Sequence, residues 1–372
     1  MPASIDEAGM SDSIIDLRAV PEQAWDVLDG LKDARADAVL RDLVRHVPGD
    51  PRVVLAHAEM LLAHGDYARG WPGYEARKRH PRFARAYPRL PGREWLRGPL
   101  QGRRVLVRAD AAPTATLLLA RYIPLLAARG ARVILVCPPA FVALFAQLPS
   151  AVASQALPLP EYDFWVDQMS LPRLFGTTPA NIPTPLRYLQ PDYAKAALWR
   201  QRFAATQDLR VGLALPGLDA LAAAIAGIPG LRFHALEPAP HDMADLAALI
   251  DALDLVIGTD VPAVHLAAAL GKPAWIVLGQ APHWCWMLNR ADSPWYATAR
   301  LFRQHNAGDW ACVIREIAAL LAAVAAGQAP LIHKDSAVPP AAAAPVTAAP
   351  HTRSTSVTAT DQLRMVARFV RS

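Results

Sequence analysis

Cysteine is scarce in this 372-residue chain: Cys137, Cys285 and Cys312 are odd in number and far apart. That excludes a disulfide framework and leaves no clustered thiol set for zinc, so the expectation is buried thiols in a reducing compartment. Long apolar runs are missing too. Stretches such as 117–119 and 318–326 fall well short of the ~20 residues that a membrane-crossing helix needs. Residues 1–16 are acidic and place no basic segment ahead of an apolar one, so no secretory signal is expected and the chain is assigned to the cytoplasm. Charged residues make up only 19% of the chain, and its 20 glycines are outnumbered by 34 prolines. The prolines gather at 81–99, 138–192 and 329–350, where they punctuate elements.

What is present is apolar substance. A hydrophobic content of 53% can build large cores, and the length fits two or three domains. The net charge of +5 is uneven, with twelve Lys/Arg against two Glu from Arg69 to Arg108. Such a block can attract an acidic partner or a phosphate backbone. It carries no nucleic-acid motif, and Pro72, Pro81, Pro88, Pro91 and Pro99 interrupt it. A basic linker packed on the next domain is expected, with no nucleic-acid partner.

The hydrophobic period divides the rest. Residues 21–82 read as helical hairpins, with Trp25, Leu28 and Leu31 on one face and Leu40, Leu43 and Val44 on another. Weak self-similarity at 34 residues pairs Ala36 with Gly70 and Leu40 with Tyr74, the spacing of tetratricopeptide units. After the linker at 83–102, strand and helix alternate. Strands are expected at 103–109, 132–137 and 162–166, with one helix over 114–129. Residues 183–191 read as irregular and 193–205 as a bridging helix. The pattern restarts with strands at 209–215, 231–236, 254–258 and 274–278, and a closing helix at 309–325. This predicts an α/β protein of two Rossmann-like lobes, 103–190 and 191–326, with a ligand cleft between them. Residues 1–20 and the Ala/Pro/Thr-rich tail 327–372 read as disordered. Within the tail, Leu363, Val366 and Val370 restore a short amphipathic pattern suited to docking a partner.

The sharpest local feature is the segment 254–273, DLVIGTDVPAVHLAAALGKP. A buried strand runs into a helix with Asp260 at its N-cap and Pro262 in its first turn. Free amides and the helix dipole there suit a pyrophosphate, and His265 lies one turn in. The bland alternative is that Asp260 only caps and His265 is a satisfied core residue.

Several segments together carry a resemblance. They are GDYARGWPGYE at 65–75, EW at 94–95, GPLQGRRVLV at 98–107, ARYIPLLAARGARV at 120–133 and SLPRLFGTT at 170–178. The segment 254–273, DSPWY at 292–296, LFRQ at 301–304 and GDW at 308–310 complete the set. Residues 55–325 thereby resemble the bacterial tetratricopeptide-linked glycosyltransferase proteins, relatives of the heptosyltransferases and, more distantly, of O-linked N-acetylglucosamine transferases. The resemblance implies the two-lobed glycosyltransferase B architecture and a nucleotide-sugar, of unspecified identity, held by the second lobe. It implies no metal or other cofactor, and it places Asp260 and His265 on the family's acidic and histidine positions; with Gly258, Thr259 and Val261 beside them and Trp284 as a stacking candidate, these are the expected nucleotide-sugar contacts.

The chain departs from that family where chemistry is expected. The family follows its first strand with an acidic residue and then Gly-x-Gly-Asp; here the residues are DAAPTA at 110–115. Asp110 is the only catalytic candidate left, aligned with the family's preceding acid, where capping a helix is the alternative. The basic loop expected after 209–215 is replaced by PGLD at 216–219. Val261 stands where a hydroxyl residue is usual, and Cys285 where an arginine is usual. Trp284 and Trp286 stand in a cleft-facing region, as stacking or as packing residues. Two expectations remain. One is a catalytically eroded binding or scaffold module in surface-glycan or glycoprotein assembly, with a protein partner on the helical region or the tail. The other is an active transferase with a rebuilt site.

Overall fold

A computed structural model of the chain describes residues 34–155, 158–204, 207–237, 241–306 and 308–332. The expectations for 1–20, for the helix face of Trp25, Leu28 and Leu31, and for the tail from 333 on with its amphipathic end at 363–370 lie outside the described residues.

Among the described residues the first three helices are α1 (Ala34–His46), α2 (Pro51–Ala63) and α3 (Tyr67–Tyr74). The α2 start is set by Asp50, whose side chain accepts from the Arg52 amide, with Pro51 in the first turn. Asp66 does the same for α3 through Arg69. The two helices pack tightly because α3 carries glycine where they touch. A Cβ on Gly70 would come within 2.7 Å of the Leu62 side chain, and one on Gly73 within 3.0 Å of the Ala58 Cβ. A 3-10 turn, Glu75–Lys78, follows.

The first sheet collects β1 (Arg104–Arg108), β2 (Arg132–Cys137), β3 (Ala151–Ser154) and β4 (Phe164–Asp167) in the order β3-β2-β1-β4. All pairings are parallel. The connections contain α4 (Pro113–Leu119), α5 (Ile123–Ala128) and α6 (Val142–Phe145), and α7 (Leu171–Leu174) follows β4. The single helix expected over 114–129 is divided. Pro124 has no amide hydrogen and its ring crowds the carbonyl four residues back, so a 3-10 turn at Ala120–Tyr122 separates α4 from α5. The β3 strand escaped the sequence reading because its four residues, AVAS, are short and half-exposed.

Helix α8 (Tyr193–Phe203) leads to the second sheet. Its strands are β5 (Leu209–Ala214), β6 (Leu231–Ala235), β7 (Leu255–Gly258), β8 (Ala274–Leu278) and β9 (Ala299–Arg303), in the order β6-β5-β7-β8-β9. All are parallel again. The remaining helices are α9 (Asp219–Ile225), α10 (Met243–Asp251), α11 (Pro262–Ala269) and α12 (Ala311–Ala325). On one face of this sheet, Val313, Ile317 and Leu321 of α12 pack with Trp275 and Phe302. On the other, α10 and α11 join one continuous core that runs through the first sheet's helices to α2 and α3.

Both sheets are doubly wound, so each has a place where successive connections leave to opposite sides. In the first it lies between β1 and β4, in the second between β5 and β7. Crevices for ligands open at the carboxyl ends of strands flanking such points. Asp110 follows β1 and Asp260 follows β7, which puts each at one of these edges.

Candidate functional site

Gly258 closes β7 where strand and helix meet most tightly. A Cβ there would stand 2.8 Å from the Ala214 carbonyl and 2.7 Å from Val264 Cγ1, so no larger residue fits without displacing backbone. The Thr259 amide extends the pairing by donating to the Ala214 carbonyl at 3.1 Å, and the Val261 amide folds back onto the Thr259 carbonyl at 2.8 Å.

The N-cap of α11 is Val261, not Asp260 as the sequence suggested. Val261 is extended, Pro262 fills the first turn, and no side chain caps the helix. Asp260 lies one residue outside and is engaged elsewhere: its Oδ1 is 2.8 Å from His265 Nε2. His265 is buried, with Nδ1 2.8 Å from the Tyr296 hydroxyl. Tyr296 in turn lies 3.4 Å from the Tyr188 hydroxyl, and Tyr188 accepts from Arg121 Nη2 at 3.1 Å.

This polar ladder crosses from the first lobe to the second. At one end stands Arg121, 2% exposed, with no carboxylate within ion-pair distance among the described residues. Its charge is met by the carbonyls of Leu118 and Pro183, at 2.8 and 3.0 Å, and by that of Trp295. Three aromatic rings add to this, Tyr188, Tyr296 and Trp295, at 4.6, 4.8 and 5.3 Å from the guanidinium carbon. Arginine has only donors and an ionised carboxylate only acceptors. Burial pushes the Asp260 carboxyl up, but the His265 hydrogen bond and charge, with His283 nearby, outweigh it and hold the group at about 2. The side chain is 30% exposed, so an ionised carboxylate faces solvent at this sheet edge.

A carboxylate in that position favours hydroxyl donors, such as those of a ribose or hexose, and repels phosphate oxygens. The helix start that the sequence offered to a pyrophosphate therefore already has the chain's own carboxylate beside it, bonded to His265.

Trp284 lies inside the protein, fully buried. Trp71 meets it edge-on at 5.1 Å, with Tyr74 at 5.8 Å and Trp295 at 5.6 Å. The same aromatic cluster fastens α3 to both lobes. Trp71 donates to the Thr177 carbonyl at 2.9 Å, and Trp295 to the Tyr67 hydroxyl at 2.9 Å. Trp286 is fully buried as well, so neither Trp284 nor Trp286 is placed to stack on a solvent-borne ring.

Asp110, at the first lobe's edge, is 7% exposed. One carboxylate oxygen accepts from the Ala112 amide at 2.9 Å, and the other from the Tyr87 hydroxyl. Its backbone carbonyl accepts from Thr116 Oγ1 at 2.9 Å. Charged groups from far along the chain converge beside it. Asp167 accepts from Arg108 Nε at 2.7 Å and lies 3.3 Å from Lys78 Nζ. Buried Arg77 reaches Glu75 at 2.9 Å and Ser170 Oγ at 2.8 Å, and Lys78 reaches Glu94 at 2.7 Å. Part of the basic block of 69–108 is thus neutralised within the chain. The sequence reading missed these partners because Arg77 and Ser170 lie 93 residues apart and no local pattern links them.

Among the described residues, no group of three or more His, Cys, Asp or Glu could hold a metal ion. Nor is any helix there long and apolar enough to cross a membrane.

No family model matches the chain. It is similar to Protein FlbA of Caulobacter vibrioides, 26% identical over 351 residues that cover 74% of this chain and 56% of FlbA. The chain thus spans about half the length of that relative. Among solved structures it is similar to a family 9 glycosyl transferase from Veillonella parvula, with a TM-score of 0.43, 10% identity, and coverage of 56% of this chain and 87% of that one. Coverage is 59% and 98% for the E. coli ADP-heptose lps heptosyltransferase II, with a TM-score of 0.39 and 15% identity. The dodecameric glycosyltransferase TibC of enterotoxigenic E. coli has a TM-score of 0.39, 11% identity, and coverage of 62% and 76%.

Proposed function

We propose that this chain is a glycosyltransferase-like protein with a tetratricopeptide-like helical segment, catalytically eroded, that works as a binding or scaffold module in surface-glycan or glycoprotein assembly. On this reading the second lobe holds the sugar or ribose hydroxyls of a nucleotide-sugar against Asp260. A protein partner engages the helical segment or the tail at 327–372.

The observation that carries the reading is the state of Asp110. Catalysis by a general base needs a carboxylate within hydrogen-bond reach of the acceptor's proton. Both oxygens of Asp110 are already engaged, by Ala112 and by Tyr87. The neighbouring carboxylate, Asp167, is 1% exposed and held between Arg108 and Lys78. Freeing it would strip Arg108 of its carboxylate partner. The carboxylates and cations that converge on this edge fill it with the chain's own ion pairs instead of leaving a base for a substrate.

Calorimetric titration with UDP-, GDP- and ADP-sugars tests the reading. Binding of one of them, lost in Asp260→Ala, with no sugar transfer to candidate acceptors, is the expected result. Sugar transfer that disappears in Asp110→Asn overturns the eroded reading, and silence across all three nucleotides overturns the donor site.

A further inference from the structure

Arg303 ends β9, and strand register fixes where that is. Gly258 pairs with Ile276, and Ile276 with Leu301, so these three lie in one row across β7, β8 and β9. Two residues further toward the carboxyl ends, Leu278 pairs with Arg303, and Asp260 stands two residues beyond Gly258. Arg303 and Asp260 therefore lie at the same carboxyl edge of the sheet, at the ends of strands whose axes are two spacings, or about 10 Å, apart.

The surroundings of Arg303 leave its charge unanswered. Nε donates to the Arg290 carbonyl at 2.8 Å and Nη2 to the Trp286 carbonyl at 2.7 Å, which fixes the guanidinium in a half-buried position. A guanidinium has five N–H donors, and these bonds use two. The nearby carboxylate, Asp292, is taken by Arg290 through two hydrogen bonds, at 2.8 and 2.6 Å. Two arginines thus share one carboxylate, leaving a net positive charge. Among the described residues no carboxylate lies within ion-pair distance of Arg303. Burial and the Arg290 charge pull the Arg303 guanidinium down to about 10, so it stays charged at neutral pH while the site lacks an anion.

We propose that Arg303 is an anion-binding residue of this sheet edge and takes the diphosphate of a nucleoside diphosphate whose hydroxyls meet Asp260. This deepens the proposed function by supplying the cation that the loop at 216–219 lacks. The division of labour is electrostatic: the ionised Asp260 accepts from hydroxyls, and the guanidinium, held on a strand two positions along the same edge, offers its remaining donors to phosphate oxygens.

The test uses inorganic pyrophosphate alone, titrated calorimetrically into the full chain at low salt, with ADP, UDP and GDP in parallel. Wild type is expected to bind pyrophosphate. Arg303→Gln should weaken binding roughly tenfold or more, the effect of losing a charged hydrogen bond. Arg303→Lys should fall between, since it keeps the charge but not the fork. Asp260→Ala should bind pyrophosphate at least as tightly as wild type, because a like charge has gone. Thermal midpoints for each variant separate lost binding from lost folding, and Arg303→Lys decides the matter where Arg303→Gln unfolds. Failure of pyrophosphate to bind wild type, or undiminished binding in folded Arg303→Gln or Arg303→Lys, overturns the proposal. Pyrophosphate binding with no nucleotide-sugar binding would sink the Asp260 reading and leave the anion site standing.

Discussion

The hydroxyl of Tyr87 donates to the carboxylate of Asp110, tying the segment between the helices and the first sheet to the carboxyl end of β1. The contact does not stand alone. Tyr87 lies 5.2 Å from the Arg77 guanidinium carbon and 5.8 Å from that of Arg108, whose Nη1 donates to the Pro88 carbonyl at 2.5 Å. The aspartate, the tyrosine and two arginines form one unit whose evident work is to hold the linker down.

Asp110→Asn should therefore cost stability. The amide keeps one acceptor oxygen but loses the charge that strengthens both bonds, for a loss of about 1–2 kcal/mol. Tyr87→Phe should cost about 1 kcal/mol, and the double variant less than the sum, because the two share a bond. Urea midpoints of the four proteins check this. Nucleotide-sugar binding should be unchanged in Asp110→Asn, and strict additivity would show that the two groups do not interact.

Acid should loosen the same junction. Burial pushes the Glu75 carboxyl up, yet the charges of Arg77 and Lys78 and their hydrogen bonds prevail and hold it at about 2, against an ordinary 4.5. A depressed carboxylate stabilises the fold above its ordinary value and loses that contribution as pH falls toward the folded one. The loss therefore runs from pH 4.5 down to about 2 and is on the order of 3 kcal/mol. Asp260, lowered from 3.8 to about 2, adds in the same direction. Glu75→Gln should be less stable at neutral pH but lose less on acidification. Parallel acid limbs for the two proteins would contradict this.

How much of this was legible follows from where each signal lives. The parallel sheets came from short apolar strands alternating with helical periods, a local signal that survives without partners. The β9 strand was missed because its five residues, ARLFR, are too short a run, with Leu301 and Phe302 adjacent, to set a clear period. At the second lobe's edge the segment 254–273 marked Asp260 and His265, and the structure brings them within 2.8 Å. The cap was misplaced by one residue because the competing partner, His265, lies five positions on. Tyr296, Tyr188 and Arg121 come from three other segments, so nothing local announces the ladder they form. Arg303 stood in a quoted motif, but its unanswered charge depends on Arg290 claiming Asp292, a choice only packing makes.

Trp284→Ala should test whether this residue packs or binds. Removing a fully buried indole from among Trp71, Tyr74 and Trp295 should cost about 3–5 kcal/mol. It should also loosen α3 from the lobes, raising amide hydrogen exchange in Tyr67–Tyr74 ahead of β5 and β7. A folded, equally stable variant with weakened nucleotide binding would instead place the ring at a ligand.

The three thiols should differ in reactivity in a way that reports the core directly. Attack on a disulfide reagent needs a thiolate that the reagent can reach. Cys312, in the first turn of α12, is exposed, against the expectation that all three thiols are buried. Cys137 ends β2 in the core, where burial pushes its thiol up to about 12, so at neutral pH it is almost wholly protonated as well as shielded. Cys285 is fully buried between Trp284 and Trp286. A thiol-reactive chromogen should therefore titrate one group quickly in the native chain and all three after denaturation. Cys312→Ser should abolish the fast phase. The slow reaction of the other two should follow urea with the same midpoint as unfolding, since only global opening exposes both. A second fast thiol in Cys312→Ser would mean that β2 or the turn at Trp284–Trp286 opens locally, and the continuous core joining the helices to both sheets would then not hold as one unit.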